Sequence, residues 1–455
     1  MLTELSVTNF KSWERIHGMR LAPITGLFGS NSSGKTSVLQ LLLMLKQTVE
    51  SPDRAQVLNF GDDRSPTNLG SFRDIVHAHR KPGVVDLSLS WKLPEPLRIN
   101  DPAAKKSILF EGDTLGFDTH IMENGSGRLA VGEMSYRLAQ HRFTMCRKDE
   151  GESKYELQAH EGQFQFGRTR GRPWDLPAPV KFYGFPDQVK AYFQNAGFLA
   201  DLQLAMENLF GQVYYLGPLR EYPQRQYTWA GADPADVGWR GERAVDALLA
   251  ARERGLKISR GKGKPRLTLE EYVAHWLKEL GLIHDFAVEP IAKESNLYRV
   301  WVQKTPATAK VLVTDVGFGV SQILPVLVIC YYVPEGATIL LEQPEIHLHP
   351  SVQAGLADVF LDATRTRNVQ IIFESHSEHL LRRLQRRIAE DGAGEIAPST
   401  ALYFCNVANG ASVLTELDVD LLGNIKNWPR DFFGDEFGEM AAMTKAAMTR
   451  RGQQG

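Results

Sequence analysis

The sequence is poor in the features that mark several protein classes. Across 455 residues it has three cysteines, Cys146, Cys330 and Cys405, odd in number and far apart. That argues against a disulfide framework and suits a reducing compartment. It has no excess of either charge. Lys plus Arg number 52 against 54 Asp plus Glu, a net of −2, so bulk charge demands neither a polyanion nor a membrane as partner. The longest apolar stretch, ILPVLVICYYV at 323–333, is too short to span a bilayer and predicts a buried helix. The opening MLTELSVTNFKSW lacks the apolar core of a secretory leader. Neither an internal repeat nor a low-complexity tract is present. What is there is 43% hydrophobic residues, ample for a core, in a chain too long for one ordinary domain. The expectation is a cytoplasmic protein with no membrane association.

Periodicity divides the chain. LTELSVTNF alternates and predicts a strand; LAPITGLFG (21–29) predicts a second, and TSVLQLLLMLKQTV a helix directly after a glycine-rich turn. From residue 84 the pattern becomes a meander. Leu87, Leu89, Trp91 and Leu93 alternate with polar partners, as do Tyr136 and Leu138, Tyr155 and Leu157, and Phe164 and Phe166, with NGSG (124–127) and DEGES (149–153) as turns. Helical spacing returns over 187–210, 241–255 and 267–281, and QVYYLGPLR (212–220) reads as a strand entering a turn. The last third alternates strand and helix: ATILLEQ, a helix from about 351, VQIIFE, then SEHLLRRLQRRI. The expected organisation is an N-terminal lobe at 1–83, an antiparallel β-rich and helical insertion at 84–211, a helical arm and connector at 212–300, and a C-terminal lobe at 301–455. The fold class is α/β, a mixed-sheet core split by the insertion.

Four segments carry chemistry. Gly29-Ser30-Asn31-Ser32-Ser33-Gly34-Lys35-Thr36-Ser37 contains the P-loop pattern between a strand and a helix. Its glycines let backbone N–H groups turn toward a phosphate, the helix N-terminus adds its positive end, Lys35 neutralises the β/γ-phosphates, and Thr36 ligates Mg²⁺. Glu342 ends an apolar strand, where a carboxylate can hold the same ion. DVGFGVSQILPVL places Gly317, Gly319, Ser321 and Gln322 at the start of a helix, a second anion site. Two phosphate-binding ends far apart in one chain imply ATP sandwiched between two copies. His376 follows the VQIIFE strand, where it can sense a terminal phosphate. His347 and His349 stand two apart without further zinc-type ligands nearby, so they make no metal site.

Together the P-loop, the Gly-x-Gly-x-Ser-Gln turn, LLEQPEIHLHP and FESHSEHLL resemble the ABC-type ATPase heads of the SMC, RecF and OLD-like group, over about 1–80 and 300–433. VTNFKSW looks like the opening of that group, and NIKNWPRDFF (424–433) like the ending of one branch of small ATPases. By this resemblance Gly29–Thr36 is Walker A, Gly317–Gln322 the signature, Glu342 the Walker B acid and His376 the switch histidine. The resemblance also implies ATP-driven pairing into a homodimer or higher homo-oligomer. Relatives of this kind serve anti-phage systems of Septu and PARIS type beside a separate nuclease. The insertion is too short for a long coiled coil, and the residues after the switch strand leave little room for a TOPRIM nuclease. An HNH or TOPRIM-type effector is therefore expected on another chain. Gln343 stands where related heads carry the water-activating glutamate. An amide can orient water but cannot accept its proton, which implies slow or triggered hydrolysis, with Glu345 as a substitute base. The rival reading is a RecF-like DNA-repair ATPase, touching nucleic acid through Arg168, Arg170 and Arg172 or through Lys257, Arg260, Lys262, Lys264 and Arg266. Arg220, after a Gly-Pro turn, reads equally as a surface residue or as one reaching a nucleotide. Arg382, Arg383, Arg386 and Arg387 read as the wet face of a helix.

Overall fold

The computed structural model describes residues 1–455 except 101–107, 125–126, 149–153, 163, 172–174, 262, 430–431, 433–435 and 454–455. Arg172, Lys262 and the DEGES turn lie outside the described residues. A six-stranded sheet drawn from the whole length of the chain forms the centre. Its order is Ala411–Glu416, Thr400–Ala408, Ile24–Gly29, Gln370–Glu374, Thr338–Glu342 and Val213–Leu216. The last five run parallel, and Ala411–Glu416 returns antiparallel at the edge. Both faces of the sheet are covered, which is why its strands read as unbroken apolar runs. Leu27, Leu340 and Ile372 point into one hydrophobic cluster, while Phe28, Ile339, Leu341, Ile371 and Phe373 point into another.

The first cluster also holds the helix Lys35–Glu50 and a seven-stranded antiparallel sheet. That sheet runs Trp13–Arg20, Leu2–Phe10, Val84–Asn100, Ile108–Glu123, Leu129–Leu138, His141–Arg147, Tyr155–His160. It joins residues 2–20 to 84–160, so the division expected at residue 83 falls inside it. The alternation at 87–91 is realised, with Leu87, Leu89 and Trp91 all buried. The second cluster packs the helices Ala244–Glu253, Leu269–Glu279, Phe318–Tyr332, Pro350–Arg367 and Glu378–Glu390 on the opposite face. Phe318–Tyr332 is the buried helix expected from the long apolar run; every residue from Val320 to Tyr332 is buried. Thr268 and Glu271 start one of the five helices with a reciprocal capping box, and Ser377 caps another by accepting from the Leu380 N–H. A smaller sheet pairs Asp285–Pro290 with Leu297–Gln303. Among the described residues, no helix is long and apolar enough to cross a membrane.

Two local expectations differ from the structure. Phe164 and Phe166 lie in no strand; they join an aromatic cluster with Phe110, Phe143 and Phe198. The helical run at 187–210 is two helices, Gln188–Tyr192 and Leu199–Gly211. The break is made by Asn195, whose side chain donates to the Gln165 carbonyl and accepts from the Gly167 N–H, tying the chain elsewhere. The four arginines of the Glu378–Glu390 helix lie opposite the buried Leu380, Leu381, Leu384 and Ile388, as expected of a wet face, and are ion-paired there: Arg383 and Arg387 meet Asp358 at 2.5 and 2.6 Å, Arg382 meets Glu378 and Arg386 meets Glu390.

Candidate functional site

Four of the five parallel strands, Ile24–Gly29, Gln370–Glu374, Thr338–Glu342 and Val213–Leu216, end side by side, and the candidate residues sit at their carboxyl ends, where open α/β sheets bind ligands. The strand Ile24–Gly29 leads into the glycine-rich turn. Gly29 has φ of +135°, and a Cβ there would lie 1.9 Å from the Cys405 carbonyl oxygen, so only glycine fits. Gly34 has φ of +91°, and a Cβ would meet the Ser12 and Ser412 hydroxyls at 2.6 Å. The indole N–H of Trp13 donates to the Gly34 carbonyl at 3.0 Å, so the NFKSW hairpin braces the loop from behind. Lys35 is 4% exposed and folds back into the turn. Its Nζ donates to the carbonyls of Gly29 at 3.0 Å and Ser30 at 2.7 Å. Burial lowers its pKa, opposed by the nearby Glu374 carboxyl.

Strand alternation explains which side chains face the loop. Glu342 lies two residues past Leu340 and Glu374 two past Ile372, so both point to the face covered by the helix Lys35–Glu50. The two glutamates are direct neighbours in register. Thr36 Oγ1 donates to Glu374 Oε2 at 2.7 Å, and the Tyr215 hydroxyl donates to Glu342 Oε2 at 2.6 Å. Glu374 is 1% exposed, and its Oε1 has no hydrogen-bond partner. Burial, then the adjacent Glu342, pushes its carboxyl up to about 7. Burial also raises the Glu342 carboxyl. The Thr36 hydroxyl therefore faces Glu374, a residue that sequence reasoning passed over. The signal was present: QIIFE repeats the form of TILLE, an apolar strand closed by glutamate.

The loop after Glu342 turns sharply. Gln343 has φ of +45°, and its N–H donates to the Glu374 carbonyl at 3.1 Å. Its side chain is half-buried. Glu345 is 6% exposed; its Oε1 accepts from the His376 N–H at 2.7 Å, and its Oε2 has no partner. Burial raises the Glu345 carboxyl. The structure thus brings Glu345 and His376 together at the ends of neighbouring strands. His376 is an exposed residue, but its imidazole is partly buried, and that burial, then the charge of Lys35, lowers its pKa. His349 accepts from the Ser351 N–H and caps its helix, His347 is exposed, and no group of three metal-type ligands occurs among the described residues.

The Gly317 turn opens the helix Phe318–Tyr332 with Gly317 as its N-cap. Gly317 and Phe318 are exposed. Ser321 is 8% exposed and its hydroxyl donates to the Phe318 carbonyl at 2.9 Å; Gln322 is 3% exposed. Both side chains are turned inward, and the exposed parts of the turn are the backbone at Gly317 and the Phe318 ring. That ring packs edge-on to Tyr222 at 5.4 Å and lies 6.1 Å from the His347 ring. Arg220 is no surface residue: it is 8% exposed, and none of its three guanidinium nitrogens has a hydrogen-bond partner.

A comparison with curated proteins finds no match. Among solved structures, the chain is similar to an SMC head bound to the C-winged helix domain of ScpA (9% identity, TM-score 0.43, covering 92% of this chain and 98% of that one). It is similar to the SMC head domain from Thermotoga maritima (9%, TM-score 0.41, 92% and 99%). It is also similar to an Smc head domain with an extended coiled coil, bound to the C-terminal domain of ScpA derived from Pyrococcus furiosus (8%, TM-score 0.40, 91% and 96%). Residues 397–443 match a family of unknown function, DUF3696. Residues 233–382, which hold the Gly317 turn, Glu342, Gln343, Glu345 and His376, match the family described as "AAA domain, putative AbiEii toxin, Type IV TA system".

Proposed function

We propose that the chain binds Mg·ATP at the Gly29–Ser37 turn, hydrolyses it slowly, and uses the bound nucleotide to pair two copies and control a separate effector. One observation carries the nucleotide reading. Thr36 Oγ1 and the adjacent Glu342 and Glu374 carboxyls form an oxygen set at the strand ends beside the P-loop. The donor set fits a hard divalent cation. Two carboxyls neighbour each other in register and repel, Lys35 offsets only part of that charge, and Glu374 Oε1 has no hydrogen-bond partner. Magnesium, when bound there, would supply charge neutralisation for the phosphates and the two carboxylates. Lys35 and the loop N–H groups would hold the phosphates.

Slow turnover is supported by the residues after Glu342. The Gln343 amide cannot take a proton. Glu345, with Oε1 fixed by the His376 N–H and Oε2 free, is the base we propose in its place. Its link to the His376 backbone ties base and sensor into one unit. Pairing would use the exposed Gly317 backbone and the Phe318 ring, since the Ser321 hydroxyl is held in its own helix. The toxin–antitoxin description of the family matched by 233–382 is consistent with a role in such a system; the anti-phage role and the nuclease on another chain rest on the sequence resemblance alone.

Single-turnover hydrolysis tests the reading. Wild type should be slow, Gln343→Glu faster, and Glu345→Gln slower by roughly 10²–10⁴-fold. Fast wild-type turnover that neither substitution alters would remove it. A direct DNA-binding reading has one observation in its favour. Lys257, Lys264 and Arg266 are exposed on a ribbon whose strands pair Lys257–Ile258 with Leu267–Thr268. Salt-dependent DNA binding lost on neutralising those residues would select it.

A further inference from the structure

A buried guanidinium with nothing to bond is costly, because five N–H donors have left water without replacement. Arg220 is in that position. It is 8% exposed, and its Nε, Nη1 and Nη2 all lack partners. The position is built rather than accidental. Arg220 follows the edge strand Val213–Leu216, and its turn is pinned at both ends to a neighbouring segment. The Gly217 N–H donates to the Trp239 carbonyl at 2.8 Å, and the Glu221 N–H donates to the Arg240 carbonyl at 2.9 Å. Desolvation lowers the pKa of the guanidinium to about 10, and the nearby charges opposing that shift are Glu345 and then Tyr215. Tyr215 bonds Glu342, Glu342 neighbours Glu374, and Glu374 bonds Thr36 of the P-loop helix. Arg220 therefore stands at the opposite end of the carboxylate row from Lys35.

We infer, on the basis of the nucleotide site proposed at the P-loop, that Arg220 is a ligand of the terminal phosphate and the residue that distinguishes a triphosphate from a diphosphate. The planar fork matches a carboxylate or a phosphate. Glu345, whose charge acts on Arg220, also keeps Oε2 unpartnered, so neither group satisfies the other. An anion arriving from outside the chain satisfies the arginine. The location at the strand ends shared with Gly29, Glu342 and Glu374 selects a nucleotide phosphate over a carboxylate of another chain.

The test measures binding by calorimetry, with Mg²⁺ and either a non-hydrolysable ATP analogue or ADP, for wild type, Arg220→Ala, Arg220→Lys and Lys35→Ala. Losing a charge-assisted pair to the terminal phosphate should weaken the analogue roughly 10- to 100-fold in Arg220→Ala and leave ADP within about 3-fold. Arg220→Lys should recover part of the loss. Loss of Arg220 also removes a positive charge that acts on the buried Glu345 carboxyl, so the readout that a merely structural arginine would not move is the split between the ATP analogue and ADP, not the melting temperature. Equal weakening of both ligands, or of neither, overturns the assignment while the P-loop reading stands. Analogue binding that survives Lys35→Ala, or is missing from wild type, overturns the P-loop reading and the arginine assignment with it. Analogue affinity unaffected in Arg220→Ala, together with lost pairing of two copies, would instead assign the arginine to a carboxylate of the other copy.

Discussion

Replacing Glu374 by glutamine gives a prediction whose size follows from the structure. The carboxyl is 1% exposed, beside Glu342, and titrates at about 7 instead of its ordinary 4.5. Below 4.5 the folded and unfolded chains both carry the proton, and this residue adds no pH dependence. Between 4.5 and about 7 the folded chain keeps a proton that the unfolded chain has lost, so stability falls as pH rises through that window. Above about 7 both forms are ionised and the full cost of the buried charge is present. A carboxyl moved from 4.5 to about 7 corresponds to on the order of 3 kcal/mol. In a chain of this length that is a change of about 3 °C in melting temperature. Glu374→Gln keeps an oxygen for the Thr36 hydroxyl and removes the titration. Without nucleotide, the variant should match wild type near pH 5 and melt about 3 °C higher at pH 8. The assay is calorimetric melting at a series of pH values with Mg²⁺ chelated. The converse holds for nucleotide. Mg·ATP should expel the Glu374 proton near pH 6, seen as heats that depend on buffer ionisation, and the variant should bind it weakly. Identical pH profiles for the two proteins would refute the reasoning about the carboxylate row.

Other substitutions probe the surrounding framework. Gly34→Ala forces a Cβ to 2.6 Å from the Ser12 and Ser412 hydroxyls at φ of +91°, so nucleotide affinity should fall at least tenfold by calorimetry while the overall circular dichroism is retained. Phe432 is 6% exposed and packs on Phe404 at 4.7 Å and on Phe28 of the P-loop strand at 6.2 Å. Phe432→Ala should cost roughly 3–5 kcal/mol in denaturant unfolding. Phe318 is 49% exposed at the Gly317 turn; Phe318→Asp should leave the melting temperature of the single copy within about 1 °C and abolish any increase in mass on adding Mg²⁺ and a non-hydrolysable ATP analogue, read by light scattering.

The site was legible where one residue's role depends on its immediate neighbours. The P-loop needs a strand before it and a helix after it, and both could be read from adjacent residues. Glu342 was legible because an apolar strand ends on it. Its twin Glu374 closes the same kind of strand, but what distinguishes it, the Thr36 hydroxyl and the register with Glu342, comes from segments distant in sequence, Thr36 lying 338 positions before it. The strand Trp13–Arg20 escaped for a physical reason. Trp13, Ile16 and Met19 are buried at every third position, so the alternation that announces a strand is missing, and a register shift between Leu5 and Val7 in the paired strand accompanies it. The burial of Arg220 could not be read locally at all. It follows from Val213–Leu216 pairing with Thr338–Glu342, a contact between segments more than a hundred residues apart. The inward turn of Ser321 likewise depends on how its helix is packed, since Ile323, Val326 and Leu327 must all be covered.

The central claim is that the oxygen row of Thr36, Glu342 and Glu374 receives the metal of a nucleotide held at Lys35. A crystal structure of the chain with a non-hydrolysable ATP analogue and manganese in place of magnesium tests it most directly, because the anomalous signal of manganese locates the ion. The account predicts one manganese peak at Thr36 Oγ1 beside the two carboxylates, with Lys35 released from the Gly29 and Ser30 carbonyls onto the phosphates. A nucleotide bound elsewhere, or a metal peak away from all three oxygen donors, would contradict it.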